Sequence, residues 1–240
     1  MGNSAAILVF LKEPVPGRVK SRLGAGIGAD RAAELYGAFV LDWLERLVAY
    51  GRSRDITILP CPSPDGWSDA LAEWLDLEIP AGGPWRSRPF LPQGSGDLGD
   101  RLGVCFRMAW EMGIDRAIVV GTDSPDLPLF HLDLGFDALS RGDCALGPAL
   151  DGGYYALGFS DHTFVPSAFE AIAWSSDQTA AQTLTAIATV GHSTTLLPPW
   201  SDIDHPQDLR RLGDRLRDDP QLAHDLPRTA EAIAHLGLIP

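Results

Sequence analysis

Lysine is almost missing from this chain: Lys12 and Lys20 are the only two in 240 residues. With 19 Lys and Arg against 32 Asp and Glu, the formal net charge is −13. A polyanion or an anionic membrane surface would be repelled, which excludes general nucleic-acid binding unless cations are gathered locally. Cysteine is also scarce. Cys61, Cys105 and Cys144 lie far apart with no C-x-x-C pair, which excludes a zinc knuckle and a disulfide framework and fits a reducing cytoplasm. Long apolar runs are lacking too. The run Ala5–Leu11 is too short for a signal-peptide core with its cleavage site, and nothing approaches the length of a membrane span. The start M-G-N-S-A-A lacks the hydroxyl residue that myristoylation wants where Ala6 stands. G-x-S-x-G and H-E-x-x-H are absent and the six histidines are scattered, which argues against serine and zinc hydrolases. A soluble cytoplasmic protein is expected.

What is present is a 45% hydrophobic chain able to bury a full core. Apolar runs of strand length fall at 5–11, 55–59, 117–121, 144–148 and 154–159, several apolar almost throughout, as strands covered on both faces are. Between the first two, Ala32, Leu35, Tyr36, Phe39, Trp43, Leu44 and Leu47 recur at helical spacing, and Leu98, Leu102, Cys105, Phe106 and Ala109 do the same. Strand and helix in repeated alternation predict one α/β domain over 1–240, an open, mostly parallel, Rossmann-like sheet with helices on both faces. Its ligands belong beyond the carboxyl ends of the strands. No internal repeat or convincing linker divides the chain. Pro80–Pro92 is the most loop-like stretch, and the last thirty or so residues read as polar helices on the outside.

Directly after the first run comes K-E-P-V-P-G-R-V-K-S-R-L-G, placing Lys12, Arg18, Lys20 and Arg22 together. Pro14 and Pro16 stiffen this loop and Gly17 allows a close backbone approach, so a nucleotide phosphate fits it. A solvated loop balancing nearby carboxylates is the plainer account. The Walker pattern is absent, because Gly17 and Lys20 have the wrong spacing. G-S-G-D-L-G, Gly94 to Gly99, follows no long strand and reads as a helix start, with Ser95 or Gly96 as cap and Asp97 complementing the dipole. A base or ribose could also lie against Gly96 and Asp97.

Two residues beyond the run 117–121 stands Asp123, in G-T-D-S-P-D-L-P. A Mg²⁺ or Mn²⁺ ion on a diphosphate needs only one or two protein carboxylates, and Asp123 is placed to supply one. Asp126 reads instead as the cap of a helix over 129–140, with Pro128 in its first turn. In S-D-I-D-H-P-Q-D-L, Asp204 is either a second ligand or the cap of a helix, paired with Gln207 in a capping box, and Asp202 competes with it as ligand. D-G-G-Y-Y, with Asp151, Gly152, Gly153 and Tyr154, suits a polar small-molecule pocket or a hairpin turn. Trp174 and Ser175 could meet an acceptor, or the tryptophan could simply be part of the core.

In this order the motifs K-x-P-x-x-G-R-x-K-[ST]-R-L, G-D-L-G, G-T-D-S-P-D-L, D-G-G-Y-Y, W-S-S and D-I-D-x-P-x-D-L resemble the bacterial GT-A-like family of putative nucleotide-diphospho-sugar transferases, also called radical-SAM/selenodomain-associated transferases, from Lys12 to about Leu209. The resemblance implies a GT-A fold that binds an activated nucleotide with Mg²⁺ or Mn²⁺. It implies metal ligation by Asp123 and, at the position of a second ligand, Asp204. D-I-D-H-P departs from the expected D-x-D-T-P, since His205 replaces a small hydroxyl residue. K-S-R-L, Lys20 to Leu23, is also similar to a loop of phospholactate guanylyltransferases, and molybdenum-cofactor guanylyltransferases share the architecture.

Two chemistries share such a scaffold. In glycosyl transfer an acceptor attacks the sugar's anomeric carbon, and Lys20 and Arg18 with the metal stabilise the leaving diphosphate. In nucleotidyl transfer an acceptor attacks the α-phosphorus of a nucleoside triphosphate and pyrophosphate leaves. An acceptor phosphate needs a second basic patch, for which the sequence offers only Arg86 and Arg88. The expectation is glycosyl transfer from a nucleotide sugar to a small-molecule acceptor, with nucleotidyl transfer second and a non-catalytic nucleotide-binding module third. Base, sugar, acceptor and oligomeric state are not legible.

Overall fold

The computed structural model describes residues 4–63, 69–79 and 85–237, without the side chain of Arg86. Most of the predicted Pro80–Pro92 loop's first half, residues 80–84, therefore lies outside the described residues, as does the Arg86 half of the expected second basic patch. Six strands, β1 (Ala5–Leu11), β2 (Ile56–Pro62), β3 (Arg116–Val120), β4 (Cys144–Pro148), β5 (Tyr154–Ser160) and β6 (Thr194–Leu196), form one sheet in the order β2-β1-β3-β5-β4-β6. Pairing is parallel except at β5, which runs against both β3 and β4. The predicted open, mostly parallel α/β sheet is what forms. The short, half-buried β6 escaped prediction because Thr-Thr-Leu carries too little apolar signal.

The alternation of β1 sorts its neighbours. Ile7, Val9 and Leu11 face the cluster of α2 (Ala29–Arg54) and α5 (Phe130–Ser140), with Trp43, Leu44, Leu47 and Phe136. Ala6 and Leu8 face the cluster of α4 (Leu98–Glu111) and α6 (Thr179–Thr189), with Leu102, Phe106 and Ile187. Period-two side-chain direction in a strand covered on both sides gives this two-sided core.

The C-terminal helices do more than coat the surface. α7 (Pro206–Asp218) and α9 (Pro227–His235), joined through α8 (Pro220–Asp225), bury Leu209, Leu212, Leu216 and Ile233, with Leu226 of the α8–α9 junction, in a third cluster against Leu35 and Phe39 of α2 and Leu23 of α1 (Ser21–Ile27). In α7 the buried leucines recur at three- and four-residue steps, although the polar residues around them give the segment its outward character. A methyl group on Gly26 would stand 2.5 Å from Pro206 Cγ, so the start of α7 rests directly on α1. Among the described residues no helix is long and apolar enough to cross a membrane.

Asp42, only 1% exposed within α2, anchors α9. It accepts from the Thr229 backbone N–H at 2.7 Å, and from the Arg228 backbone N–H and guanidinium at 3.3 Å each. Burial pushes its carboxyl pKa up, and these donors pull against that rise. Removing one partner of a buried charged network leaves the others unsatisfied. Asp42→Ala should lower stability by about 2–4 kcal/mol in urea unfolding, whereas Glu45→Ala, which removes only the exposed contact to Arg228, should cost under about 1 kcal/mol.

Candidate active site

A cleft of about 650 Å³ opens at the carboxyl ends of β1 and β3. Along it lie Lys12, Lys20, Arg22, Asp123, Asp204, Asp151, Gly153, Tyr154, Trp174 and Ser175, all expected from the sequence, and also Asp202. Gly17 and Arg18 are exposed on the turn before Lys20, and neither they nor Gly96, Asp97 and Gly152 line the cleft.

Lys20 is the centre of the arrangement. It is the N-cap of α1 in the left-handed region, φ 46° and ψ 44°, a costly backbone state for a residue with a side chain. Its Nζ lies 2.5 Å from Asp123 Oδ1 and 3.0 Å from Asp204 Oδ1, with the side chain only 2% exposed. Arg22 stands 3.7 Å from the other oxygen of Asp204. Burial works against the Lys20 ammonium, but Asp123 and Asp204 outweigh it and hold the pKa above its ordinary value. For Asp123, burial works to raise the pKa, and Lys20 outweighs that to hold the carboxyl below its ordinary value.

The loops bearing the two carboxylates are fastened together. Ile203 N–H donates to the Asp123 carbonyl at 2.9 Å, and the Ser124 hydroxyl donates to Asp202 Oδ1 at 2.7 Å. Arg46 of α2 donates to the carbonyls of Pro125 and Leu127, fixing the turn after Asp123. At the end of β1, the Lys12 backbone N–H donates to the Tyr36 hydroxyl at 3.0 Å, and that hydroxyl shares a 2.8 Å bond with Thr122.

Three capping expectations are corrected. Asp126 does not cap α5, whose N-cap is Leu129; it is buried and paired with Arg215 Nη2 at 2.5 Å, and Pro128 precedes the cap. Asp204 does not cap α7 with Gln207. His205 is the N-cap, and Asp208 accepts from its N–H at 2.8 Å, which leaves the Asp204 carboxylate for Lys20. At α4 the cap is Asp97, in a box with Asp100, one or two residues past the expected position, and Gly96 is required because a Cβ there would strike the Asp100 carboxylate.

Elsewhere both accounts of a motif hold on different residues. Gly152, at φ 91°, makes the β4–β5 turn, while Asp151, Gly153 and Tyr154 face the cleft. Trp174 packs partly against the α4 cluster and also lines the cleft. Sequence reasoning missed Arg101, Gln93, Tyr36 and Thr122 as cleft residues. Arg101 was open to discovery: Leu98, Arg101 and Leu102 share one helix face by three- and four-residue spacing. Arg88 stacks on Trp85, 4.7 Å from the ring, and is not in the cleft lining.

Among the described residues no group of three or more His, Cys, Asp or Glu is arranged to hold a metal ion. Asp123 and Asp204 nevertheless present hard oxygen donors to one shared cation, the Lys20 ammonium. Such a pair would suit Mg²⁺ or Mn²⁺ arriving with a diphosphate, since those ions favour oxygen donors and need only one or two protein carboxylates beside phosphate.

Asp202 is pushed up to about 6, by burial first and by the neighbouring Asp123 charge second. A carboxyl that binds its proton more tightly in the fold than in the unfolded chain costs stability as pH rises from its ordinary 3.8 to about 6. In metal-free buffer, Asp202→Asn should therefore raise unfolding free energy at pH 7.5 by up to about 3 kcal/mol and change it little at pH 4, as read from urea unfolding at both pH values.

Residues 67–176 match the family model DUF2064, described as an uncharacterized protein conserved in bacteria. A putative nucleotide-diphospho-sugar transferase from Desulfovibrio desulfuricans G20 superposes with TM-score 0.80 at 31% identity, covering 96% of this chain and 97% of that one. A 4-diphosphocytidyl-2C-methyl-D-erythritol synthase has TM-score 0.55 at 15% identity, with 91% of this chain and 100% of that chain covered. A cytidylyltransferase from Leptospira borgpetersenii serovar Hardjo-bovis (strain JB197) has TM-score 0.52 at 14% identity, with 97% of each chain covered. These two share the fold. No curated protein matches the sequence. With nearly a third of positions identical along almost the full length of both chains, the protein belongs to the GT-A-like family of putative nucleotide-diphospho-sugar transferases.

Proposed function

We propose that the protein is a divalent-metal-dependent transferase that moves the sugar of a nucleotide-diphospho-sugar to a small-molecule acceptor. The observation that carries this is the convergence of Asp123 and Asp204 on one cation position, bordered by Lys12 and Arg22, at the ends of parallel strands. The family membership supports the same class of donor.

Asp123 and Asp204 would hold the Mg²⁺ or Mn²⁺ ion. Once bound, the ion supplies positive charge against the leaving diphosphate. Lys12, Lys20 and Arg22 add donors for diphosphate oxygens, and Arg18 does so from the exposed turn of the same loop. Tyr36 fixes the Lys12 backbone, so this part of the cation set is preorganised. The ribose or base lies toward the start of α4, where Leu98 and Arg101 line the cleft just beyond Gly96 and Asp97. The acceptor occupies the part of the cleft with Asp151, Gly153, Tyr154, Trp174 and Ser175, beside Gly152, where an aromatic face and a carboxylate suit a hydroxylated compound. An acceptor hydroxyl there attacks the anomeric carbon as the bond to the diphosphate oxygen breaks, and the hydroxyl proton leaves with the departing diphosphate.

Nucleotidyl transfer is the second reading, and one observation favours it. Arg101 brings a cation into the cleft from α4, an element separate from the basic loop, as an acceptor phosphate or a triphosphate would require. Thermal unfolding with Mn²⁺ and a panel of nucleotide sugars and nucleoside triphosphates, with product analysis, separates the cases. A nucleotide sugar with Mn²⁺ should stabilise the protein by about 2–3 kcal/mol at a hundredfold excess over Kd, and show slow hydrolysis. Asp123→Ala should remove the metal-dependent part. Stabilisation by triphosphates alone, with pyrophosphate released on adding phosphorylated metabolites, would select the second reading. Nucleotide binding indifferent to Mn²⁺ or Mg²⁺ would leave a non-catalytic binding module.

A further inference from the structure

The two carboxylates expected to hold a metal already share a cation that belongs to the chain. Lys20 is enclosed, at 2% side-chain exposure, while Asp123 and Asp204 are 46% and 34% exposed, so the ammonium lies on the protein side of both. It is held there by more than charge. Its backbone is fixed as the left-handed N-cap of α1, its carbonyl accepts from Gly24 N–H at 2.7 Å, and Nζ sits 6.0 Å from the centre of the buried Phe39 ring. A lone divalent ion drawing on the same carboxylates meets a positive charge that has little water to retreat into, and like charges this close repel strongly. Driving the ammonium off its partners leaves it buried and unpaired, a costly state. A diphosphate arriving with the ion removes that penalty, because its oxygens give the ammonium new acceptors.

We propose that Lys20 is a built-in counterion that competes with a lone divalent ion for Asp123 and Asp204, so that metal binds well only together with a diphosphate. The inference rests on the metal-and-diphosphate reading above. It makes Lys20 the residue through which the two ligands are coupled, and such coupling acts equally in both directions.

The test is a Mn²⁺ titration of the whole chain without nucleotide, followed by the EPR signal of free Mn²⁺, for the natural protein and Lys20→Met. Lys20→Met should bind Mn²⁺ alone at least about tenfold more tightly, a difference of one decade in Kd. Equal or weaker binding by Lys20→Met overturns the proposal and leaves the metal reading standing. Absence of lone Mn²⁺ binding by both overturns the proposal, and absence that persists in the natural protein when a nucleotide diphosphate is added overturns the metal reading with it.

Should Lys20→Met fail to fold, the scarcity of lysine supplies a second measurement on the natural protein. Acetic anhydride labelling read by mass spectrometry has just Lys12, which is exposed, and Lys20, which is enclosed, as lysine targets. Lys20 should label far more slowly than Lys12 and accelerate at least about fivefold when Mn²⁺ alone is raised to saturation, as displacement of the ammonium requires. Lys20 labelling that stays unchanged as Mn²⁺ saturates overturns the proposal.

Discussion

The Lys20 ammonium between Asp123 and Asp204 joins three stretches of chain that are distant in sequence: the loop after β1, the loop after β3 and the segment before α7. Much of the molecule is arranged so that this contact can form. Gly26 lets the start of α7 press on α1, which carries Asp204 toward the end of the basic loop. The Asp123 carbonyl holds Ile203, next to Asp204 in the chain. Asp42 fastens α9 to α2 and so helps seat the C-terminal helices from which that segment departs. The third hydrophobic cluster is thus part of the site's construction, although none of its buried residues lines the cleft.

An ion pair with an enclosed ammonium is seldom a gain in stability, because that charge must first be taken out of water. In a chain with net charge −13 the local balance matters more. Asp123, Asp202 and Asp204 come together in one cleft, and only one enclosed ammonium faces them. That imbalance is visible in Asp202, whose proton is retained up to about 6. A region that collects more negative charge than it neutralises is suited to a cationic ligand or to a ligand that brings its own cation. The cations Lys12, Arg22 and Arg101 along the same cleft argue for the latter, since they would repel a bare cation and attract phosphate oxygens.

Much of this was legible in the sequence, and the parts that were not share a cause. Near-continuous apolar runs and the stripes of α2 and α4 revealed the sheet and its covering helices, because burial on a face leaves a period behind. The basic loop and Asp123 stood out because lysine is rare and a strand ended just before them. What local pattern could not show was partner choice. Asp126, Asp204 and Asp97 all precede helices, and in the sequence all three satisfy the rule for a cap. Only the fold reveals that Arg215 takes Asp126, that His205 and Asp208 relieve Asp204 of capping, and that Asp97 alone caps. Tyr36 was read as a core residue from its helical spacing, and it is one, yet its hydroxyl also reaches Lys12 and Thr122.

The single reversed strand explains how the other half of the cleft is supplied. In a sheet of parallel strands only carboxyl ends meet at the ligand-binding edge. Because β5 runs against β3, with Val120 opposite Ala156 and Arg116 opposite Ser160, its amino end lies beside the carboxyl end of β3. The tight turn at Gly152 then brings Asp151, Gly153 and Tyr154 to the same edge as Asp123. The backbone of that turn is in turn fixed to the segment after Trp174, since Ala180 N–H donates to the Gly152 carbonyl at 2.9 Å. The charges proposed for donor binding thus come from the ends of β1 and β3, and the groups proposed for the acceptor come from a reversed strand and the loop tied to it. In the proposed transfer, two partners that must meet at one atom would be served by two sets of loops, so that the acceptor side could vary without disturbing the cation site.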